Sequence, residues 1–402
     1  MRRFATSPCE IKSPRVVECE QKVIIPANLA HVVGDAVLRA GLACGVIVAL
    51  AEPPAIALLR KFSVLDVPGG RSSHSVPTPR GGGAPIALGL VVAAAVAPGA
   101  GDPRLAFAVA VGSFGLLGLV DDLRGLSALS RLALAAAGAA GVATLLVLRL
   151  PLSPLALAAA AAAAAVWLVG FVNAFNFMDG VNGISGAHAL IGGVAYACLA
   201  AWRGDEFGAA AGLALAAGAA AFLPWNAGRA RVFLGDVGSY SIGAALAVLA
   251  VRLIADGVPA AAVAGPVALY LADVAWTLQR RVRGGERWLE GHRTHVYQRW
   301  CDAGWSHAEV TLLTSALTVL LCLLGVAGMR GGLGVRVAAD LAGLGVLAVY
   351  LGSPRLFARA GLGGVSGAAG VSGAGGAGGV SGATGVTGLV GGSESMSEME
   401  EA

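Results

Sequence analysis

LALAAAAAAAAVWLVGFVNAFNFMDGVNGISG, residues 155–186, changes character halfway along. Its first part, Leu155 to Val172, is a predominantly apolar run of the length that crosses about 30 Å of hydrocarbon as a helix. From there polar side chains recur every three residues, at Asn173, Asn176, Asp179 and Asn182, and glycines at Gly180, Gly183 and Gly186. So many glycines break the helix and let backbone approach a ligand closely. Helix capping accounts for one Asn or Asp, hardly four. An apolar span therefore delivers amides and a carboxylate to a membrane boundary.

The rest of the chain fits that reading. Of its 402 residues 56% are apolar and 13% charged, and the mean hydropathy is +0.76, which excludes a soluble globular protein. Runs of about 20 apolar residues predict roughly eleven spans, near 39–59, 83–100, 103–120, 132–149, 155–172, 185–202, 208–224, 237–255, 258–279, 308–328 and 334–352. Glu52-Pro53-Pro54 interrupts the first, and the alanines from Ala158 to Ala165 make the fifth only marginally hydrophobic. The short alternating segments of a β-barrel are absent. The expected fold is an all-α integral membrane protein, a polytopic bundle of about 11 transmembrane helices, with its active site at the cytoplasmic face. Residues 1–38 read as a poorly structured extension without a cleavable signal peptide, 39–353 as the transmembrane catalytic domain, and 361–402 as a Gly/Ser/Ala-rich, disordered acidic tail. The six cysteines form no C-x-x-C pair and read as small hydrophobes.

Orientation follows from Lys and Arg in the short loops. One set of alternate connections holds 16 basic residues and the other 6, which predicts that the richer set is cytoplasmic. All the polar clusters fall on that same side: Asp66 to Arg80, Asp121-Asp122, Asn173 to Asn182, Asn226 to Asp236, Asp273, and His292 to Gln298. Solvated loops would not leave the opposing loops so plain. Asp121 and Asp122 abut the end of an apolar span, where unpaired carboxylates call for Mg²⁺ or a nearby cation. Gly235-Asp236-Val237-Gly238-Ser239 opens another span; the sequence is compatible with a plain N-cap and with backbone N–H groups and a carboxylate aimed at a metal-bound phosphate. Phe233 is either an interfacial anchor or a platform for a nucleobase. His292 and His295 lie among six arginines of their loop, a setting that favours phosphates over a zinc ion.

Taken in order, these segments resemble the polyprenyl-phosphate N-acetylhexosamine-1-phosphate transferases, glycosyltransferase family 4. The family includes the phospho-MurNAc-pentapeptide translocase and the enzymes that start O-antigen and teichoic-acid synthesis. The resemblance runs over roughly residues 60–305: D-x-P-x-x-R-x-S-H at Asp66 to His74, the glycines at Gly81 to Gly83, D-D, N-x-x-N-x-x-D-G-x-x-G, F-x-G-D-x-G-S, and a histidine loop. It implies that Asp236 is the principal Mg²⁺ ligand, with Mn²⁺ as a substitute, and that Asp121 and Asp122 contact lipid phosphate and metal, Asp122 as a second metal ligand. It places Asn173, Asp179 and Asn226 in the nucleotide pocket, Phe233 on uracil, and His295 at the first histidine of the catalytic loop. Arg71, His74, Asn176, Asn182, His292, Arg293 and Gln298 join them as substrate-binding candidates, and Asp121, Asp122, Asp179, Asp236 and His295 as catalytic ones.

Two departures bear on specificity. Asn182 stands where many members carry an aspartate, and H-x-x-H-x-Y-Q replaces three consecutive histidines, which looks closer to initiators of O-antigen, lipopolysaccharide or other surface-polysaccharide synthesis than to the peptidoglycan enzyme. The expected partners are a UDP-N-acetylhexosamine, undecaprenyl (polyprenyl) phosphate, the bilayer and a second copy of the chain as a homodimer, with no nucleic acid. The expected location is the bacterial cytoplasmic (inner) membrane. The competing class, a multi-pass transporter or lipid flippase, would line the bilayer midplane with polar residues facing each other across a repeat. Here they gather at one interface.

Overall fold

The structure, a computed structural model, describes residues 34–68, 76–99, 101–148, 150–286 and 292–359. The expected N-terminal extension up to residue 33, the tail after 359, and the candidates Arg71 and His74 lie outside the described residues. The chain divides into two units, Met1–Gly364 and Val365–Ala402, and the described helices belong to the first.

Among the described residues thirteen helices carry the fold: α1 (Asp35–Lys61), α2 (Ala84–Val96), α3 (Asp102–Arg124), α4 (Ala128–Val147), α5 (Pro154–Phe177), α6 (Ile184–Arg203), α7 (Glu206–Asn226), α8 (Gly235–Ala255), α9 (Ala260–Ala264), α10 (Ala268–Arg283), α11 (Val296–Asp302), α12 (His307–Arg330) and α13 (Leu333–Arg359). Among the described residues, nine of them are long and apolar enough to cross a membrane. The protein is an all-α polytopic membrane protein. Two of the expected eleven spans differ. The second, 83–100, is the 13-residue α2. The ninth, 258–279, is broken between α9 and α10, where Pro266 supplies no N–H to a continuing helix. Conversely, α1 runs through Pro53 and Pro54 without interruption, as membrane helices permit when neighbours compensate. The alanine-rich fifth span is one uninterrupted helix, started by the Ser153 hydroxyl, which accepts from Ala156 N, with Pro154 in the first turn.

Helix α8 is the hub. In its most apolar window 83% of residues are buried, against 11% in α13 and 22% in α1 and α5, which leaves those three facing lipid. It packs on α3 and α5 over long contacts, and small residues make that possible, as van der Waals fit replaces hydrophobic drive between membrane helices. A Cβ on Gly118 of α3 would lie 2.2 Å from the Asp236 carbonyl oxygen, and one on Gly83 2.0 Å from Gly238 Cα. Trp167 of α5 donates to the Ala247 carbonyl at 3.0 Å.

A short seam closes one end. Strands β1 (Leu65–Asp66) and β2 (Thr78–Pro79) pair antiparallel. Beyond β2, Arg80 bridges to Phe233, Gly82 N donates to Phe233 O at 2.9 Å, and Gly83 N donates to Leu234 O at 2.8 Å. The loop before α2 and the loop before α8 are thereby held side by side. The C-terminal ends of α3, α5 and α7 and the N-terminal ends of α6, α8 and α12 gather about this seam.

Candidate active site

The α8 N-terminus organises the carboxylates. Asp122 Oδ1 accepts from Asp236 N and Oδ2 from Val237 N, both at 2.9 Å, so two amides that a helix start leaves without intrahelical acceptors are satisfied by a residue from α3. Gly235 adopts φ +74°, and a Cβ there would come within 2.6 Å of Asp122 Oδ2 and 2.7 Å of Gly81 N; the conformation and the space both call for glycine. The Arg80 guanidinium spans two acids, with Nε 2.8 Å from Asp122 Oδ1 and Nη2 2.9 Å from Asp236 Oδ1. Burial opposes its charge, and Asp236 and Asp122 more than offset this, holding Arg80 above its ordinary range. Asn176 Nδ2 donates to Asp236 Oδ1 at 2.8 Å and to Ser239 Oγ at 2.9 Å.

Asp121, buried on the other side, accepts from Leu126 N at 2.8 Å and pairs with Arg131 at 3.1 Å. The charge of Asp236 acts on its carboxyl as well. Three carboxylates thus share two guanidiniums, a surplus of negative charge that a divalent cation would offset, with Asp121 and Asp236 the residues that would hold it. Among the described residues no group of three or more His, Cys, Asp or Glu forms a ligand set.

In front of Asp236 opens a cavity of about 340 Å³, lined by Asn176, Asp179, Asn182, Asn226, Phe233, Asp236 and Gln298, all expected from the sequence, together with Asp66, Arg80 and His307, which were not among the expected site residues. Burial, with Asp236 nearby, pushes the Asp179 carboxyl up to about 7. Two of the amides are occupied by backbone. Asn226 accepts from Gly183 N at 2.8 Å and donates to Val232 O at 3.0 Å. Asn182 donates to Gly228 O at 2.7 Å while its own N–H reaches His307 Nδ1 at 3.3 Å. They shape the cavity more than they face into it.

Asn173 does not line the cavity; it bonds back to Val169 O within α5 at 2.8 Å. The histidine loop adjoins the cavity through Gln298. His295 is 1% exposed and sits at the start of α11 with its Nδ1 3.0 Å from Asp273 Oδ1. The geometry makes it an organiser of the loop rather than part of the cavity wall. Asp273, which the sequence placed in the group by position only, is the anchor: fully buried, it accepts from Val296 N at 3.1 Å and from Tyr350 Oη at 2.6 Å. His292 lies beside His295, ring centroids 4.9 Å apart, and burial, with His295 and Arg281 adding to it, pushes its imidazole down to about 4. It is neutral at physiological pH, a single N–H donor rather than a cation. Arg293 pairs with Asp302 at 3.3 Å. Tyr297 ties the loop to α5 by donating to Phe177 O at 3.0 Å.

Residues 105–254 match the family model described as glycosyl transferase family 4. Over 124 residues, 29% of its length, the chain is 30% identical to the phospho-N-acetylmuramoyl-pentapeptide-transferase of Clostridium perfringens strain 13, covering 36% of that protein. The corresponding protein of strain SM101 is equally similar, with 35% covered. The chain matches about a third of the length of these curated relatives. The matched stretch contains Asp121, Asp122, Asn176, Asp179, Asn226, Phe233 and Asp236.

Proposed function

We propose, from the match of residues 105–254 to the family model described as glycosyl transferase family 4, that this chain transfers a sugar-1-phosphate of the N-acetylhexosamine type from a UDP-sugar to undecaprenyl or another polyprenyl phosphate. The products are the polyprenyl-diphosphate sugar and UMP. The observation that carries the reading is the Arg80–Asp122–Asp236–Asp121 cluster at the end of a membrane bundle, opening onto a cavity walled by Asn176, Asp179 and Phe233. In this reading the protein is a multi-pass bacterial inner-membrane enzyme whose site faces the cytoplasm, at the first membrane step of a surface polysaccharide such as O-antigen, and it works as a homodimer.

An oxygen of the lipid phosphate attacks the phosphorus that bears the sugar, the bond to UMP breaks, and one diphosphate replaces another. With a second pKa of about 6, the acceptor phosphate is already largely dianionic at neutral pH, so a strong base is unnecessary. The protein's task is to bring two polyanions together. Arg80 and Arg131 supply positive charge on either side of the carboxylates. Asn176 fixes the Asp236 carboxylate, and Phe233 offers a face for the base. Asp179, close to half-protonated near neutrality, is able both to donate and to accept a hydrogen bond to the donor. Mg²⁺ or Mn²⁺, held by Asp236 and Asp121, would neutralise the donor diphosphate. Asp122 takes a positioning role, because its oxygens already hold the α8 amides and Arg80.

The test incubates purified protein with undecaprenyl phosphate, Mg²⁺ and a panel of UDP-N-acetylhexosamines, and follows UMP. Lipid-dependent UMP from at least one sugar is expected; none from any would overturn the reading.

A further inference from the structure

Behind Phe233 lies a second cavity, of about 640 Å³, whose wall shares Phe233, Asn182 and His307 with the first and adds Arg60, Arg229 and Arg231. The three arginines come from separate places: Arg60 from the last turn of α1, Arg229 and Arg231 from the loop between α7 and α8. All three are exposed. Among the described residues none of them pairs with a carboxylate, in contrast to Arg80, Arg131 and Arg252, each of which does. Arg231 is held over the Trp225 ring, 5.4 Å from its centroid, which fixes its place without neutralising it.

Three like charges converging on one concavity, with no counter-ion among the described residues, repel one another and raise the local concentration of anions. Guanidinium forks match the oxygens of phosphate. In a transferase the donor diphosphate belongs with Arg80 and Asp236 on the opposite side of Phe233, so it does not meet this charge. Arg60 ends a span that is only 22% buried and otherwise faces lipid, so the cavity opens where that span leaves the bilayer. The headgroup phosphates of anionic lipids concentrate at that level.

We propose that this basic cavity is a second phosphate-binding site, separate from the donor site and touching it through Phe233 and Asn182. A phosphate ester carried by an anionic bilayer lipid is the ligand its position fits, and a soluble phosphate shares the chemistry. Occupancy braces Phe233 from behind and so bears on donor binding. The binding claim does not require the transferase reading to hold.

The test titrates detergent-purified full-length protein with short-chain phosphatidylglycerol, short-chain phosphatidylcholine and inorganic phosphate, measuring heat of binding. The variants are Arg229→Gln/Arg231→Gln, Arg60→Gln, and Arg336→Gln in α13 as a control. Saturable binding of phosphatidylglycerol but not phosphatidylcholine is expected, weakened roughly 30-fold by the double substitution, since each interfacial arginine contributes a factor of about five. Arg336→Gln should leave it unchanged, and equal unfolding temperatures would show that the exposed substitutions fold. Arginine-dependent binding of inorganic phosphate without that of the lipid would sustain the site and make its ligand soluble. Binding of either anion that ignores all three arginines, equal binding of both lipids, or no binding of either anion would overturn the proposal.

Discussion

Replacing Arg80 by lysine keeps the charge and removes the geometry. The native guanidinium uses two different nitrogens for two different acids, Nε for Asp122 at 2.8 Å and Nη2 for Asp236 at 2.9 Å; a lysine ammonium is a single point and can hold one of them well at a time. One charge-assisted hydrogen bond is worth about 1.5–3 kcal/mol. The Arg80 side chain is 39% exposed, and solvent screening favours the lower end of that range. The expected loss in kcat/KM is therefore roughly 10- to 30-fold. The assay is UMP release at saturating undecaprenyl phosphate, with thermal unfolding run in parallel so that lost activity is not mistaken for lost fold. An Arg80→Lys enzyme within about twofold of wild type, at an unchanged unfolding temperature, would refute the idea that Arg80 aims Asp236 by bridging it to Asp122.

Three more outcomes are expected of the same geometry. Asp122→Asn keeps one acceptor and turns an NH₂ group toward an α8 amide, so it should cost about 1–3 kcal/mol in stability even with metal chelated; a metal-ligand role alone would leave the chelated protein unchanged. Gly83→Ala forces the α2 start away from Gly238 Cα, 2.0 Å from the added Cβ, and should lower stability by about 1–3 kcal/mol together with UMP release, while a wild-type unfolding curve would contradict the contact. Asp179 carries a proton up to about pH 7 in the fold against 3.8 for the free side chain. The folded state therefore binds more protons across that window, and stability falls as pH rises through it. Asp179→Asn lacks the ionisation, so its unfolding temperature relative to wild type should rise from about pH 5 to about pH 8; a pH-independent difference would argue against the raised value.

The membrane bundle was legible because composition and apolar length speak directly to a bilayer. The broken ninth span was not, because hydropathy averages over Gly265-Pro266 and does not see a break in a run that stays apolar. The cavity was legible where polar residues sit next to glycines: Asp179, Asn182 and Asp236 line it, together with Asn176 and Phe233 from the same two segments. Spacing misled at Asn173, whose side chain satisfies itself on Val169 O. It was silent on roles set by distant partners. Nothing local to Arg80 shows that the loop before α8 is seamed against it, although an arginine beside three glycines in a loop otherwise rich in Pro was a usable signal. Asp273 and His295 read alike as polar residues at a helix end, yet they are buried together and hold the histidine loop from within. Asp121 and Asp122 are adjacent in sequence and face different partners because successive helical side chains diverge by about 100°.

The central claim is that phosphorus moves with the sugar. A UDP-N-acetylhexosamine labelled at its β-phosphorus, incubated with purified protein, undecaprenyl phosphate and Mg²⁺, should pass that label into the lipid phase with UMP left in the aqueous phase. Asp236→Ala should abolish the transfer. Sugar reaching the lipid while the labelled phosphorus stays behind on UDP, or label that partitions identically without the lipid phosphate, would contradict the account.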